Sequence, residues 1–73
     1  MLSNTIGSSI KKLRKDHNMN QDELAHRLNI RRQTLSAYER GVSIPNIFVL
    51  IRIADIFSVS LDELTGRELP RER

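Results

Sequence analysis

The segment from Gln21 to Arg40 leaves this chain few ways to fold. Two short helical patterns abut there, separated by only three or four residues around Asn29. The first has the clearest start in the sequence. Asn20 stands at its N-cap, Glu23 completes a capping box, and Met19 and Leu24 take the N′ and N4 positions of a hydrophobic staple. Leu24, Ala25 and Leu28 form its buried stripe, and Asn29, which tolerates left-handed backbone, ends it. The second pattern runs from about Arg32 to Arg40, with Leu35 and Tyr38 one turn apart and turned inward, Ile30 packing just before it and Gly41 as the C′ stop. Helices joined this tightly cannot lie antiparallel side by side. They cross steeply, and the second must project its outer face away from the first.

The flanking sequence reads as three more helices. Thr5 to His17 carries Ile6, Ile10 and Leu13 on one stripe, with Lys11, Lys12, Arg14 and Lys15 on the remaining faces and Asn18 as the stop. After a loop in which Pro45 pushes Ile44 out of helical geometry, Asn46 caps a fourth helix reaching Phe57. Its expected apolar face is Ile47, Leu50, Ile51, Ala54 and Phe57, with Phe48, Val49 and Ile56 in excess. A fifth, Leu61 to Thr65, has a second capping box in Ser60 and Glu63, a staple in Val59 and Leu64, and Gly66 as its stop. Nothing alternates with period two for long enough to make a sheet. The expected fold is all-α, a five-helix domain over residues 5–66 with a short frayed tail over 67–73 that contains Pro70.

At 73 residues, the chain is one domain near the lower size limit for folding without disulfides or metals. It has no cysteine, and neither His17 nor His26 has ligand partners at metal-binding spacing, so no metal and no cofactor is expected. There is no nucleophile–base pair, no carboxylate pair placed for a cleft and too little chain for a pocket, which argues against an enzyme. The start, Met1-Leu2-Ser3-Asn4, is not a secretory signal, and the apolar run Ile47 to Ile51 is far short of a membrane span. A cytoplasmic protein with no membrane association is expected.

Charge is unevenly placed. Residues 1–45 hold eight basic and four acidic side chains, residues 46–73 four and five, within a net charge of +3. This suggests one face meant for a polyanion, although an ordinary solvated surface accounts for the charge equally well. The outer face of the third helix is more specific. It holds Arg32, Gln33, Ser36 and Arg40, and Arg and Gln can pair bidentately with guanine and adenine edges in a major groove.

These elements together resemble the lambda-repressor-like, Cro-type helix-turn-helix family, also called XRE. The likeness is carried by MNQDELAHRLNIRRQTLSAYERG and extends from IGSSIKKLRKDHNMNQDELAHRL to IPNIFVLIRIADIFSVSLDEL. The resemblance implies a sequence-specific double-stranded DNA-binding regulator, most simply a repressor, of bacterial or phage type and associated with the nucleoid. It implies that Gln21, opening the second helix, binds a phosphate and can buttress a polar residue of the third. A helix N-terminus favours such an anion. By the same resemblance, Arg32 is aimed at base edges, with guanine the expected partner. Gln33 would meet adenine or a phosphate, and Ser36 would touch a base or leave room for a thymine methyl. Thr34, Arg40 and the N–H of Asn46 would hold phosphates, which fixes register without reading sequence. Arg14 and Glu39 match a partly buried structural ion pair. Arg31 departs from the family's usual Ser or Thr cap. It cannot cap with an oxygen and instead brings a cation beside the phosphates. The family's usual glycines at positions 18 and 29 are both Asn here.

Most helix-turn-helix proteins pair to read two half-sites. The excess apolar residues on the fourth helix suggest a symmetric homodimer around Phe48 and Val49 with Ile44 or Leu61 nearby; the alternative is that they close the small core. A different class of function, an antitoxin or a protein-interaction module, would reuse the same fold but would ordinarily want a further segment that folds onto the partner, for which the tail is short. No effector pocket is evident, and the operator and target genes are not encoded in these patterns.

Overall fold

A computed structural model describes residues 2–66, and side chains from residue 5 onward. Five helices follow one another: α1 (Leu2–Asp16), α2 (Gln21–Leu28), α3 (Arg32–Glu39), α4 (Ile47–Phe57) and α5 (Leu61–Thr65). The described residues include no strand. The tail expected over 67–73 lies outside the described residues. α1 begins one turn earlier than Thr5 and ends one residue before His17.

Local chemistry sets the helix ends. Asn20 and Ser60 each accept from the backbone N–H three residues on, while Glu23 and Glu63 reach back to accept from the N–H of each cap residue. Asn46 Oδ1 accepts from the Val49 N–H at 3.0 Å. Arg31 makes no side-chain cap at α3. Asn18, Asn29 and Ser58 stop α1, α2 and α4 in left-handed backbone, at φ 58°, 58° and 56°. Ser58 is a stop that the sequence did not announce, since Ser is less often left-handed than Asn or Gly.

The core joins all five helices through Ile6, Ile10, Leu24, Ala25, Leu28, Leu35, Leu50, Ile53, Ala54, Phe57 and Leu64. α1 packs chiefly on α3 and α5, and α2 on α3. Gly7 permits the first of these contacts. A Cβ there would stand 2.7 Å from the Glu39 carbonyl oxygen, so α1 approaches the end of α3 more closely than alanine allows.

α4 is rotated from its expected orientation. Leu50, Ile53, Ala54 and Phe57 are buried, whereas Ile47 and Ile51 are 50% and 41% exposed. Nine of its eleven residues are apolar, so periodicity admits two overlapping stripes, and packing against α5 and α2 selects the one through Ile53.

Candidate nucleic-acid interface

α2 and α3 are separated by residues 29–31 and cross with their apolar faces on the common core. Leu35 is wholly buried and Tyr38 packs against the core, which turns the opposite side of α3 outward. Arg31, Arg32 and Gln33 are exposed at the start of that side, and Arg40 is exposed at its end. Thr34 and Ser36 are half-buried. The Arg40 Nε donates to Ser36 Oγ at 3.3 Å, so in the free protein these two residues pair with each other. Asn46 is exposed at the start of α4.

Behind this face lies a polar network. Arg14 grips Glu39 with two prongs, Nε to Oε2 at 2.7 Å and Nη2 to Oε1 at 3.0 Å. Its Nη1 donates to the Met19 carbonyl oxygen at 2.9 Å, which satisfies the backbone where α1 turns toward α2. The two side chains are 8% and 3% exposed. The hydrogen bond to Glu39 and its negative charge raise the Arg14 pKa against an opposing desolvation, so the guanidinium stays charged. The expected ion pair is present, and it is more deeply buried than expected.

Gln21 extends the network to the surface. Its Nε2 donates to Glu39 Oε1 at 3.1 Å, and its Oε1 accepts from Arg32 Nη1 at 3.1 Å. A carboxylate can only accept, so Glu39 fixes which end of the Gln21 amide faces it, and the carbonyl is left for Arg32. The expected buttressing of α3 by Gln21 is therefore present, with Arg32 as the residue supported.

Besides the Arg40–Ser36 pairing, three features were not anticipated. Asp22 Oδ1 lies 3.5 Å from Arg32 Nε. Arg52 Nη1 donates to the Leu28 carbonyl oxygen at 3.2 Å, closing an orphan acceptor at the end of α2. His17, expected to be a plain surface residue, is exposed, but its ring lies 4.8 Å from that of Phe57 and its Nδ1 donates to the Leu13 carbonyl oxygen at 2.8 Å. A charge pair between α2 and α3 follows from their crossing angle, which sequence gives only coarsely. The Arg52 contact has no sequence signal beyond a single cation in an apolar helix.

The residues proposed for pairing with a second copy divide in two. Phe48 and Ile44 are 73% and 60% exposed, but Val49 and Leu61 are half-buried and pack against the core. Val42, Ile47 and Ile51 are exposed in the same stretch, so the outward apolar set is Val42, Ile44, Ile47, Phe48 and Ile51. Among the described residues, no three side chains of metal-binding type gather, and no helix is long and apolar enough to cross a membrane.

Comparison with known proteins agrees with this geometry. The family pattern described as helix-turn-helix matches residues 10–64. The chain is 33% identical over 64 residues to the HTH-type transcriptional regulator ImmR of Bacillus subtilis, covering 88% of this chain and 50% of that protein. It is 38% identical over 63 residues to the antitoxin PezA of Streptococcus pneumoniae, covering 86% and 40%. The chain thus spans half or less of the length of these two relatives. A crystal structure of a transcriptional regulator from Listeria innocua superposes with a TM-score of 0.85 at 31% identity, covering 92% of this chain and 63% of that one. The chain belongs to the Cro/C1-type, or XRE, helix-turn-helix family.

Proposed function

We propose that this domain is a sequence-specific double-stranded DNA-binding transcriptional regulator that inserts α3 into the major groove and acts most simply as a repressor by occupying its operator. The observation that carries the reading is the division of α3. Leu35 is buried and Tyr38 packs against the core, while Gln33 and Arg40 stand exposed on the opposite side and Arg32 is exposed in the first turn beside them. In this reading Arg32, Gln33 and Ser36 meet base edges, and Gln21, Arg31, Thr34, Arg40 and the N–H of Asn46 hold phosphates. Arg40 exchanges its Ser36 partner for a phosphate on binding. Residues 5–66 form the DNA-binding unit, the setting is the cytoplasm, and no reaction, cofactor or small-molecule effector is involved.

Pairing of two copies through the outward apolar set on the α3–α4 loop and α4 would present two α3 helices to two half-sites about one DNA turn apart. Selection of bound duplexes from a random pool tests the whole reading, because it reports the half-site, its symmetry and the spacing together. Affinity for the selected duplex should fall steeply with salt, with a log–log slope of about −0.9 for each phosphate neutralised. Recovery of no preferred sequence would overturn the reading.

A second reading, an antitoxin that binds a partner protein, is favoured by the similarity to PezA. Co-purification of one stoichiometric protein from the native host would support it.

A further inference from the structure

We infer that Asp22 is a specificity-determining residue that holds the Arg32 guanidinium for base reading and weakens binding to DNA of unrelated sequence. The inference rests on the DNA-binding reading above. Arg32 is the residue of α3 expected to read a base, yet its side chain is not loose in the free protein. Two acceptors on α2 engage different nitrogens of it: Gln21 Oε1 takes a hydrogen bond from Nη1 at 3.1 Å, and Asp22 Oδ1 stands 3.5 Å from Nε. Among the described residues, Nη2 carries no contact, which leaves its donors for a guanine acceptor.

The two acceptors differ in kind. Gln21 is neutral, and its amide is fixed by Glu39. Asp22 is charged, and its side chain is 78% exposed beside an Arg32 side chain that is 59% exposed. A carboxylate on this rim repels every phosphate that approaches, whatever the sequence. Its attraction to Arg32 compensates only while that guanidinium keeps the held geometry, and guanine can use the donors left over. On unrelated DNA, Arg32 would be drawn toward phosphate, and leaving Asp22 removes the compensation. Asp22 therefore costs affinity everywhere and less where the correct base is present, so it widens the difference between sites.

The test compares the wild-type protein with Asp22→Asn on two duplexes, the one recovered by selection from a random pool and one of scrambled sequence. The ratio of the two affinities is the readout, because any loss of folded protein cancels from it. Asp22→Asn should bind scrambled duplex about two- to fivefold more tightly, the range for an exposed charge pair, and cognate duplex more tightly by a smaller factor, so its cognate-to-scrambled ratio should shrink. In an Arg32→Ala background, the same substitution should leave the ratio unchanged, because the held side chain is gone. A ratio that is equal or larger in Asp22→Asn, with wild-type preference intact, would overturn this inference alone. A shrinkage that persists without Arg32 would also overturn it. A wild-type protein with no preferred duplex would overturn the DNA-binding reading and this inference with it.

Discussion

Gln21 and Glu39 meet across the helix-turn-helix, with the amide nitrogen of one donating to Oε1 of the other at 3.1 Å. That same oxygen receives Nη2 of Arg14, so one buried carboxylate ties together α1, α2 and α3. Removing either member of the ion pair strands the other in a site where it is almost wholly covered. Glu39→Ala or Arg14→Ala should each destabilise the domain by about 3–5 kcal/mol in urea denaturation. Replacing both with apolar side chains of similar size should cost far less. A double-variant loss equal to the sum of the two single losses would show that the pair is not coupled.

Gly7→Ala should reverse the usual sign of a helical glycine replacement. An exposed interior glycine exchanged for alanine commonly gains about 1 kcal/mol. Here the added Cβ would stand 2.7 Å from backbone oxygen of Glu39, which cannot rotate away. A loss of about 1–3 kcal/mol in thermal or urea unfolding is expected.

The uncapped start of α3 exchanges stability for charge. Arg31→Ser supplies the missing N-cap oxygen and should stabilise the domain by about 0.5–2 kcal/mol. It also removes a cation proposed to lie on phosphate, so the log–log salt slope of operator binding should become shallower by about 0.9. Denaturation and salt titration of the same variant separate the two effects.

Ile53 and Ile51 test the orientation of α4. Ile53→Ala deletes a wholly buried side chain and should cost about 2–5 kcal/mol. Ile51→Ala, at a position 41% exposed, should cost much less by the same measurement.

Phe48 bears on pairing. Phe48→Asp should leave the unfolding transition of the monomer nearly unchanged, since the side chain is 73% exposed. In sedimentation equilibrium it should abolish self-association of the free protein. A wild-type chain that stays monomeric at high micromolar concentration would remove the homodimer from the proposed function.

The helices and their stops were largely legible because capping is local. Asn20, Glu23, Ser60, Glu63 and Gly66 act within four residues of the ends they set, so their chemistry could be read directly along the chain. The burial of Ile53 was not legible, because an almost wholly apolar helix carries no polar face to orient it. At the interface, the sequence showed which side chains are outward and of suitable type. It did not show that Asp22 stands beside Arg32 or that Arg40 folds back on Ser36, since these contacts depend on the crossing angle and on rotamers.

The anchoring of α3 has a consequence for retargeting. The residues that hold this helix in place, Leu35, Tyr38 and Glu39, share no position with those proposed to read bases. Exchanges at Gln33 and Ser36 can therefore alter the preferred operator with little expense in foldedness, and descendants of one such scaffold can diverge in target while keeping a common shape. Arg32 is less free to change, because any replacement must still suit the carbonyl that Glu39 turns toward it through Gln21. Freedom to acquire new targets is thus graded along a single helix, lowest at its first residue and greater further along its outward side.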